Sequence, residues 1–400
     1  MELSHPTALL SNDNRISLVG IGVGNLQHNL IKHIVSEAIQ KHGIRLVDTA
    51  AASLNEHIIA EVLQRSSVGP SVAVLTKVWY THLGFNRTLL SVRESLKRLG
   101  RTQVDIVLLH WPRCRADISW MRCDEEERDL PERIKSAGPT PGPQSWQESW
   151  RALEQLYREG VIGNIGVSNF DLKDLRQLVQ FAEVQPQLVQ SNVWSLVFDT
   201  ALMKFLQTQD IHFQAYNVFG GIIQHISSSS PASKRIQLVA EQLEGARRPS
   251  LVQVVLRWLI QQNVSIIPRS SKSAHLLENS GAGGLPSLNE AQMHEVAQSV
   301  EDIMRAATEP RKRIAEEPKH VDASFKNSLT TPVKLFWIHP ASGDQKEVAH
   351  IEAGSSAKQT TFTGHRFVVR IAETSNAVNE FEVKAAAGAE ESFLISAEEL

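Results

Sequence analysis

Asp48, Lys77 and His110 supply a carboxylate, an amine and an imidazole, the groups from which an ion pair and a proton-transfer site are built. Ser168, Asn169 and Gln190 add hydroxyl and amide groups, Tyr216 an aromatic face, and Arg269 with Ser270 a cation and a hydroxyl suited to an anion. Each has a bland reading by itself: a strand-end histidine satisfied locally, or an aspartate neutralised by a lysine. What links them is position, because each falls at the end of an apolar, β-branched run. Seven successive runs ending in this way along one chain point to a shared ligand site.

The runs that must position them alternate with stretches of helical periodicity. From Arg15 onward ISLVGIGVG, RLVDTA, VAVLTKVW, VDIVLLHWP, IGNIGVSN, QLVQSNVW, IHFQAYNVF and VSIIPRS read as strands, and each is followed by a helical pattern. Gly43, Gly100 and Gly160 close helices, and Asp171 begins one. Eight strand-then-helix units with near-continuous apolar strands predict a closed parallel (β/α)8 barrel, whose functional residues sit at the strand ends. An open doubly wound sheet is the alternative. It expects a G-x-G-x-x-G turn after the first strand, and Gly20, Gly22 and Gly24 do not have that spacing.

The 400-residue chain is 42% hydrophobic, enough for two or three domains with full cores, and its formal net charge of −3 calls for neither nucleic acid nor an anionic membrane. No run approaches the ~18 apolar residues of a membrane helix, and Glu2 with no sustained apolar stretch behind it argues against a secretory signal. The two cysteines, Cys114 and Cys123, make no disulfide framework and lack Cys-x-x-Cys spacing. These features predict a cytoplasmic protein whose partners are small molecules or proteins, without a metal site.

Residues 113 to 145 interrupt the rhythm with an acidic cluster from Asp124 to Asp129 and a GPTPGPQ tract. After the fourth strand of a barrel this is either a lid over the active face or a solvated insertion. The expected boundaries are 15–307 for the barrel, 308–320 for a charged, proline-punctuated linker, and 321–400 for a small antiparallel β-sandwich built from ASFKNS, PVKLFWIH, KEVAHI, AKQTTFTG, HRFVVRIA and NEFEVKAA.

VDTAAASLNE, LTKVW, VDIVLLHWP, IGNIGVSNF, LVQSN and IIPRSSKSAHLLEN resemble, in order and spacing over residues 15 to 305, the strand-end motifs of the aldo-keto reductase family. The resemblance implies a barrel that binds extended NADPH and reduces aldehydes or ketones. It makes Asp48 and Lys77 the catalytic ion pair and His110 the residue that orients the carbonyl. Ser168, Asn169 and Gln190 would bond the nicotinamide carboxamide, and Tyr216 would stack on its ring. Arg269 and Ser270 match the family's 2′-phosphate contacts, with Lys272 nearby, while His275 replaces a family arginine. Glu278 and Asn279 match its adenine contacts. NADP(H) is therefore expected over NAD(H).

One departure matters. Asn55 and Glu56 are in register with the family pattern, but the position of its proton-donating tyrosine is Ser53. Hydride transfer builds negative charge on the carbonyl oxygen, and an aliphatic hydroxyl is a weaker and shorter acid than a phenol. Loss of a positioned acid costs about 10² to 10⁴ in rate. Three outcomes are open: His110 serves as acid, Tyr80 swings in, or the barrel is a nucleotide-binding pseudoenzyme. Asn217, Val218, Phe219 and Gly220 also stand where the family has Ser-Pro-Leu-Gly.

ASFKNS, PVKLFWIHPASG and IEAG with TTFTGHRFVVR, over residues 322 to 385, resemble the von Hippel-Lindau β domain. That family recognises a hydroxyproline-bearing peptide through a tryptophan, a tyrosine, a serine, a histidine and a second tryptophan. The matching positions are Trp337, Val348, Thr361, His365 and Phe367. The resemblance implies a peptide or protein partner, and Val348 removes a hydroxyl that hydroxyproline specificity would use.

Overall fold

The structure, a computed structural model, describes residues 5–24, 26–118, 120–226, 230–243, 248–308, 321–338, 344–361, 365–374, 376–384 and 390–396. They belong to two compact units, Met1–Thr308 and Glu309–Leu400, each with its own apolar core. Beyond Thr308, the linker expected at 308–320 lies outside the described residues.

In the first unit a hairpin of β1 (Thr7–Leu9) and β2 (Arg15–Ser17) precedes eight strands that pair in parallel in chain order. They are β3 (Ile21–Gly22), β4 (Leu46–Asp48), β5 (Ala73–Val78), β6 (Val104–Leu109), β7 (Ile162–Ser168), β8 (Leu188–Asn192), β9 (His212–Tyr216) and β10 (Ser265–Ile266). Val19 bridges Ile266, and Gly20 N donates to Ile266 O at 2.9 Å, so the last strand meets the first. That closure, with helices between the strands, makes a (β/α)8 barrel; an open sheet would leave two unpaired edges.

The sequence dictates this packing locally. Strands β5 and β6 are buried almost throughout because the barrel core covers one face and the helices the other. A Cβ on Gly166 would lie 2.2 Å from Leu188 O, so only glycine lets β7 approach β8. The helix Phe85–Leu99 buries Thr88, Ser91, Val92, Ser95, Leu96 and Leu99, an i, i+3, i+4 stripe, and ends on left-handed Gly100. Asp171 caps Leu172–Phe181 through Asp174 N. The hairpin was not foreseen, since three-residue strands carry no readable period. It is tied to the start of β7, where Asn12 and Asn14 Nδ2 donate to Asn164 Oδ1 at 3.0 and 3.1 Å.

The described part of the 113–145 segment folds against the barrel. Met121 and Ile134 are buried, and buried Arg87 donates to both carboxylate oxygens of Glu127 at 3.0 Å and to Gly138 O at 3.0 Å. Cys114 and Cys123, too few for a disulfide framework and read as fitting a reducing compartment, are joined in a single disulfide, with their Cα atoms 5.9 Å apart. The intervening loop folds back on itself, and sequence separation carries no information about that. The bridge removes the compartment argument drawn from the cysteines. No helix among the described residues is long and apolar enough to cross a membrane.

In the second unit β11 (Val321–Asn327), β14 (Ser356–Thr361) and β17 (Glu390–Ile395) form one sheet. The strands β12 (Val333–Ile338), β13 (Gln345–Ile351), β15 (Arg366–Ile371) and β16 (Ala377–Glu382) form the other, in the order β13-β12-β15-β16. Phe325, Leu335, Phe367 and Val369 are among its buried core residues. β17 was missed after its alanine-rich approach, and it pairs parallel to β11, so this sheet is mixed rather than antiparallel.

Candidate active site

The strand ends converge on a cavity of about 920 Å³. Asp48 is the last residue of β4 and Lys77 the penultimate residue of β5, neighbouring strands whose register brings the two side chains together. Lys77 Nζ donates to Asp48 Oδ1 at 2.5 Å and to Thr49 O at 2.8 Å, and both charged side chains are buried. An ammonium has three N–H donors, so one remains for other use. His110 follows β6 directly and lines the same cavity. Burial, and then the Lys77 ammonium, hold its imidazole well below the ordinary value. It is neutral near pH 7, which argues against His110 as the resting acid and favours an orienting role. Its Nδ1 is buried and has no hydrogen-bond partner among the described residues.

Ser168 ends β7, and left-handed Asn169 follows it. Asn169 Nδ2 donates to His110 O at 2.9 Å and its Oδ1 accepts from Tyr216 Oη at 2.7 Å, joining three strand ends. Burial pushes the Tyr216 phenol up to about 12, so it stays neutral. Gln190 differs from expectation. It lies within β8 rather than at its tip, and its Nε2 is committed to Asp48 Oδ1 at 2.9 Å and Gln214 Oε1 at 2.7 Å. It supports the ion pair instead of presenting its amide nitrogen to a ligand.

A second cavity of about 100 Å³ shares Phe219 and Arg269 with the large one and is lined also by His275, Glu278 and Asn279. Arg269 is exposed and donates to Gly24 O at 3.0 Å. Ser270 is turned inward, exchanging hydrogen bonds with Lys272 O and N, and Glu278 accepts from Ser250 Oγ at 2.5 Å. His275 stacks on Phe219 at 6.4 Å. Amides and an aromatic ring at one end, and exposed Arg269 and Lys272 at the other, fit an extended anionic dinucleotide.

Ser53 sits in the short turn Ala51–Ser53 and lines the cavity. Asn55, donating to Val23 O at 3.0 Å, and buried Glu56, accepting from Thr76 and Arg98 at 2.6 Å each, pin the chain just beyond it. Tyr80 does not take over its role. Its side chain is 3% exposed in the core and is not among the cavity-lining residues.

Sequence reading missed one wall of this cavity. Trp79, Trp111 and Trp120 line it with Glu126, a member of the acidic cluster for which a lid and a solvated insertion were both open readings. The signal was available for two of them, since Trp79 and Trp111 lie just beyond Lys77 and His110 on strands already assigned to the rim.

In the second unit Trp337 and His365 lie 5.4 Å apart, ring to ring, and Thr361 Oγ1 is 2.9 Å from His365 Nδ1. Val348 is partly buried, and Phe367 is a core side chain, 2% exposed and 5.0 Å from the Phe325 ring. Thr361, at 4% exposed, is buried as well, so, Val348 aside, Trp337 and His365 are the partly exposed ones of these side chains.

The Bacillus subtilis protein named glyoxal reductase is 29% identical over 277 residues, covering 68% of this chain and 85% of its own. Among solved structures, an aldo/keto reductase from Brucella melitensis is 28% identical with a TM-score of 0.60, covering 74% of this chain and all of its own. A mutant of Gox0644 in complex with NADPH is 25% identical with a TM-score of 0.59, covering 74% and 94%. The sequence model of the Aldo/keto reductase family matches residues 19–301, which is the whole barrel, and the chain belongs to that family.

Proposed function

We propose that the barrel reduces aldehydes or ketones with NADP(H) although Ser53 stands where its family usually has tyrosine. The observation that carries this reading is the buried Lys77–Asp48 pair, opening beside His110 onto one cavity. The bound reduced nicotinamide supplies the hydride. Neutral His110 orients the carbonyl oxygen, and Asp48, held by Gln190, keeps Lys77 charged and fixed. Lys77 is the remaining cationic donor at the site, and its third N–H supplies the developing oxyanion with a proton through water in the space a phenol would fill. Ser168 and Tyr216 hold the nicotinamide end, tied together through Asn169; Arg269 and Lys272 hold the 2′-phosphate, with inward-turned Ser270 fixing the Lys272 backbone and His275, Glu278 and Asn279 beside the adenine. Initial rates of NADPH oxidation with a panel of aldehydes test this: turnover above background supports it, and none across the panel rejects it.

Ser53 itself favours a second reading, a nucleotide-binding pseudoenzyme whose output is a protein contact. For the C-terminal unit we propose a peptide-binding surface around Trp337, Thr361 and His365, on the resemblance to the von Hippel-Lindau β domain and on the clustering of these three side chains. Val348 and buried Phe367 argue for a peptide without hydroxyproline. Fluorescence polarisation with matched proline and hydroxyproline peptides, in the full chain and in Trp337→Ala, tests this.

A further inference from the structure

The wall that the reductase reading leaves without a task is built from Trp79, Trp111, Trp120 and Glu126. Trp79 and Trp120 are near-parallel at 6.3 Å, and Trp111 meets Trp120 edge-on at 6.0 Å. Trp120 is 56% exposed at the edge of this frame, more than is usual for a tryptophan. Glu126 enters from the short helix Cys123–Arg128, and its Oε2 accepts from Trp79 Nε1 at 2.6 Å. Its neighbours' charges are already spent: Arg122 pairs with Glu125, and Arg87 with Glu127. No cationic side chain among the described residues pairs with Glu126. The other charges on the cavity wall are the self-neutralising Asp48 and Lys77, and Arg269 on the nucleotide side.

A carboxylate held at the edge of one indole, on a cavity wall that two further indoles share, is an arrangement that recognises an ammonium group: the ring faces attract the cation and the carboxylate supplies a full counter-charge. We infer that this wall selects a carbonyl substrate carrying a cationic nitrogen, an amino or quaternary-ammonium aldehyde or ketone, with Glu126 as the specificity-determining residue. The inference rests on the reductase reading for the word substrate, but the cation site is measurable without turnover. A neutral polyol would find a carboxylate whose two oxygens already accept from Trp79 Nε1 and Arg122 N, with apolar ring faces elsewhere, which suits it less.

Choline and its neutral isostere 3,3-dimethylbutan-1-ol provide the test, because they share shape, differ in charge and neither is a carbonyl. Binding to the full-length chain with NADPH present is followed by isothermal titration. The expected result is a choline preference of about 10-fold or more, reduced to near parity in Glu126→Gln and weakened in Trp120→Ala. Equal affinities in the wild type, or an undiminished preference in Glu126→Gln, would overturn the inference. Turnover is measured separately with a neutral aldehyde and with its trimethylammonium counterpart. A choline preference without any turnover contradicts the reductase reading and leaves the cation site standing; turnover without a choline preference does the reverse.

Discussion

Gln190 Nε2 donates to Asp48 Oδ1 at 2.9 Å, the same oxygen that accepts from Lys77 Nζ at 2.5 Å. The carboxylate is thus fixed from two sides inside the barrel. Removing the cation leaves an uncompensated buried charge, whereas removing the amide leaves one donor fewer. Lys77→Met should therefore lower the unfolding free energy by about 3–5 kcal/mol and Gln190→Leu by about 1–3 kcal/mol. Urea unfolding of the two variants checks the order, and a smaller loss in Lys77→Met would contradict the ion-pair account.

Ser53 leaves the turn intact, because Asn55 and Glu56 pin the chain beyond it. Ser53→Tyr should raise the rate of carbonyl reduction by about 10² to 10⁴. Steady-state kinetics at saturating NADPH reads this directly. An unchanged rate would mean that the missing acid is not what limits the site.

Burial lowers the imidazoles of His82 and His212 to about 4, and that of His110 well below its ordinary value of 6.5. A depressed imidazole pKa means that the unfolded chain binds protons the folded chain does not. Stability is then complete above pH 6.5 and declines as pH falls from 6.5 toward 4, by about 2–3 kcal/mol for each of the two titrating near 4. His212→Gln should make the acid limb of a stability-against-pH curve shallower. The same burial predicts no inflection near pH 6.5 from His110 in the pH dependence of kcat.

The Cys114–Cys123 bridge closes the loop that carries Trp120. A covalent loop of this size restrains the open chain by about 3 kcal/mol, so its loss should loosen the tryptophan wall while sparing the ion pair. Reduction with dithiothreitol should raise KM for the carbonyl several-fold with a smaller change in kcat. Cys114→Ser should show the raised KM without reductant and no further response to it.

Much of the barrel was legible because its strands are continuous apolar runs with the polar residue at the tip; Asp48, Lys77, His110, Ser168 and Tyr216 all line one cavity, drawn from strands far apart in sequence. What stayed hidden depends on side-chain direction or on folding of a polar segment. Gln190 reads as a tip residue but points into the barrel toward Gln214, because its strand extends two residues further, to Asn192. Glu126 is indistinguishable in sequence from Glu125 and Glu127, and only the buried Arg87 taking Glu127 leaves Glu126 facing the tryptophans. The hairpin β1–β2 and strand β17 escaped because short or polar-flanked strands give too few residues to show a period.

The central claim is that these strand ends form one dinucleotide site. Titrating the full-length protein with NADPH while following the emission of its eight tryptophans measures that most directly. The account predicts saturable 1:1 quenching, tighter for NADPH than for NADH, with the margin lost in Arg269→Ala. Absence of saturable binding, or equal affinity for the two nucleotides, would contradict it.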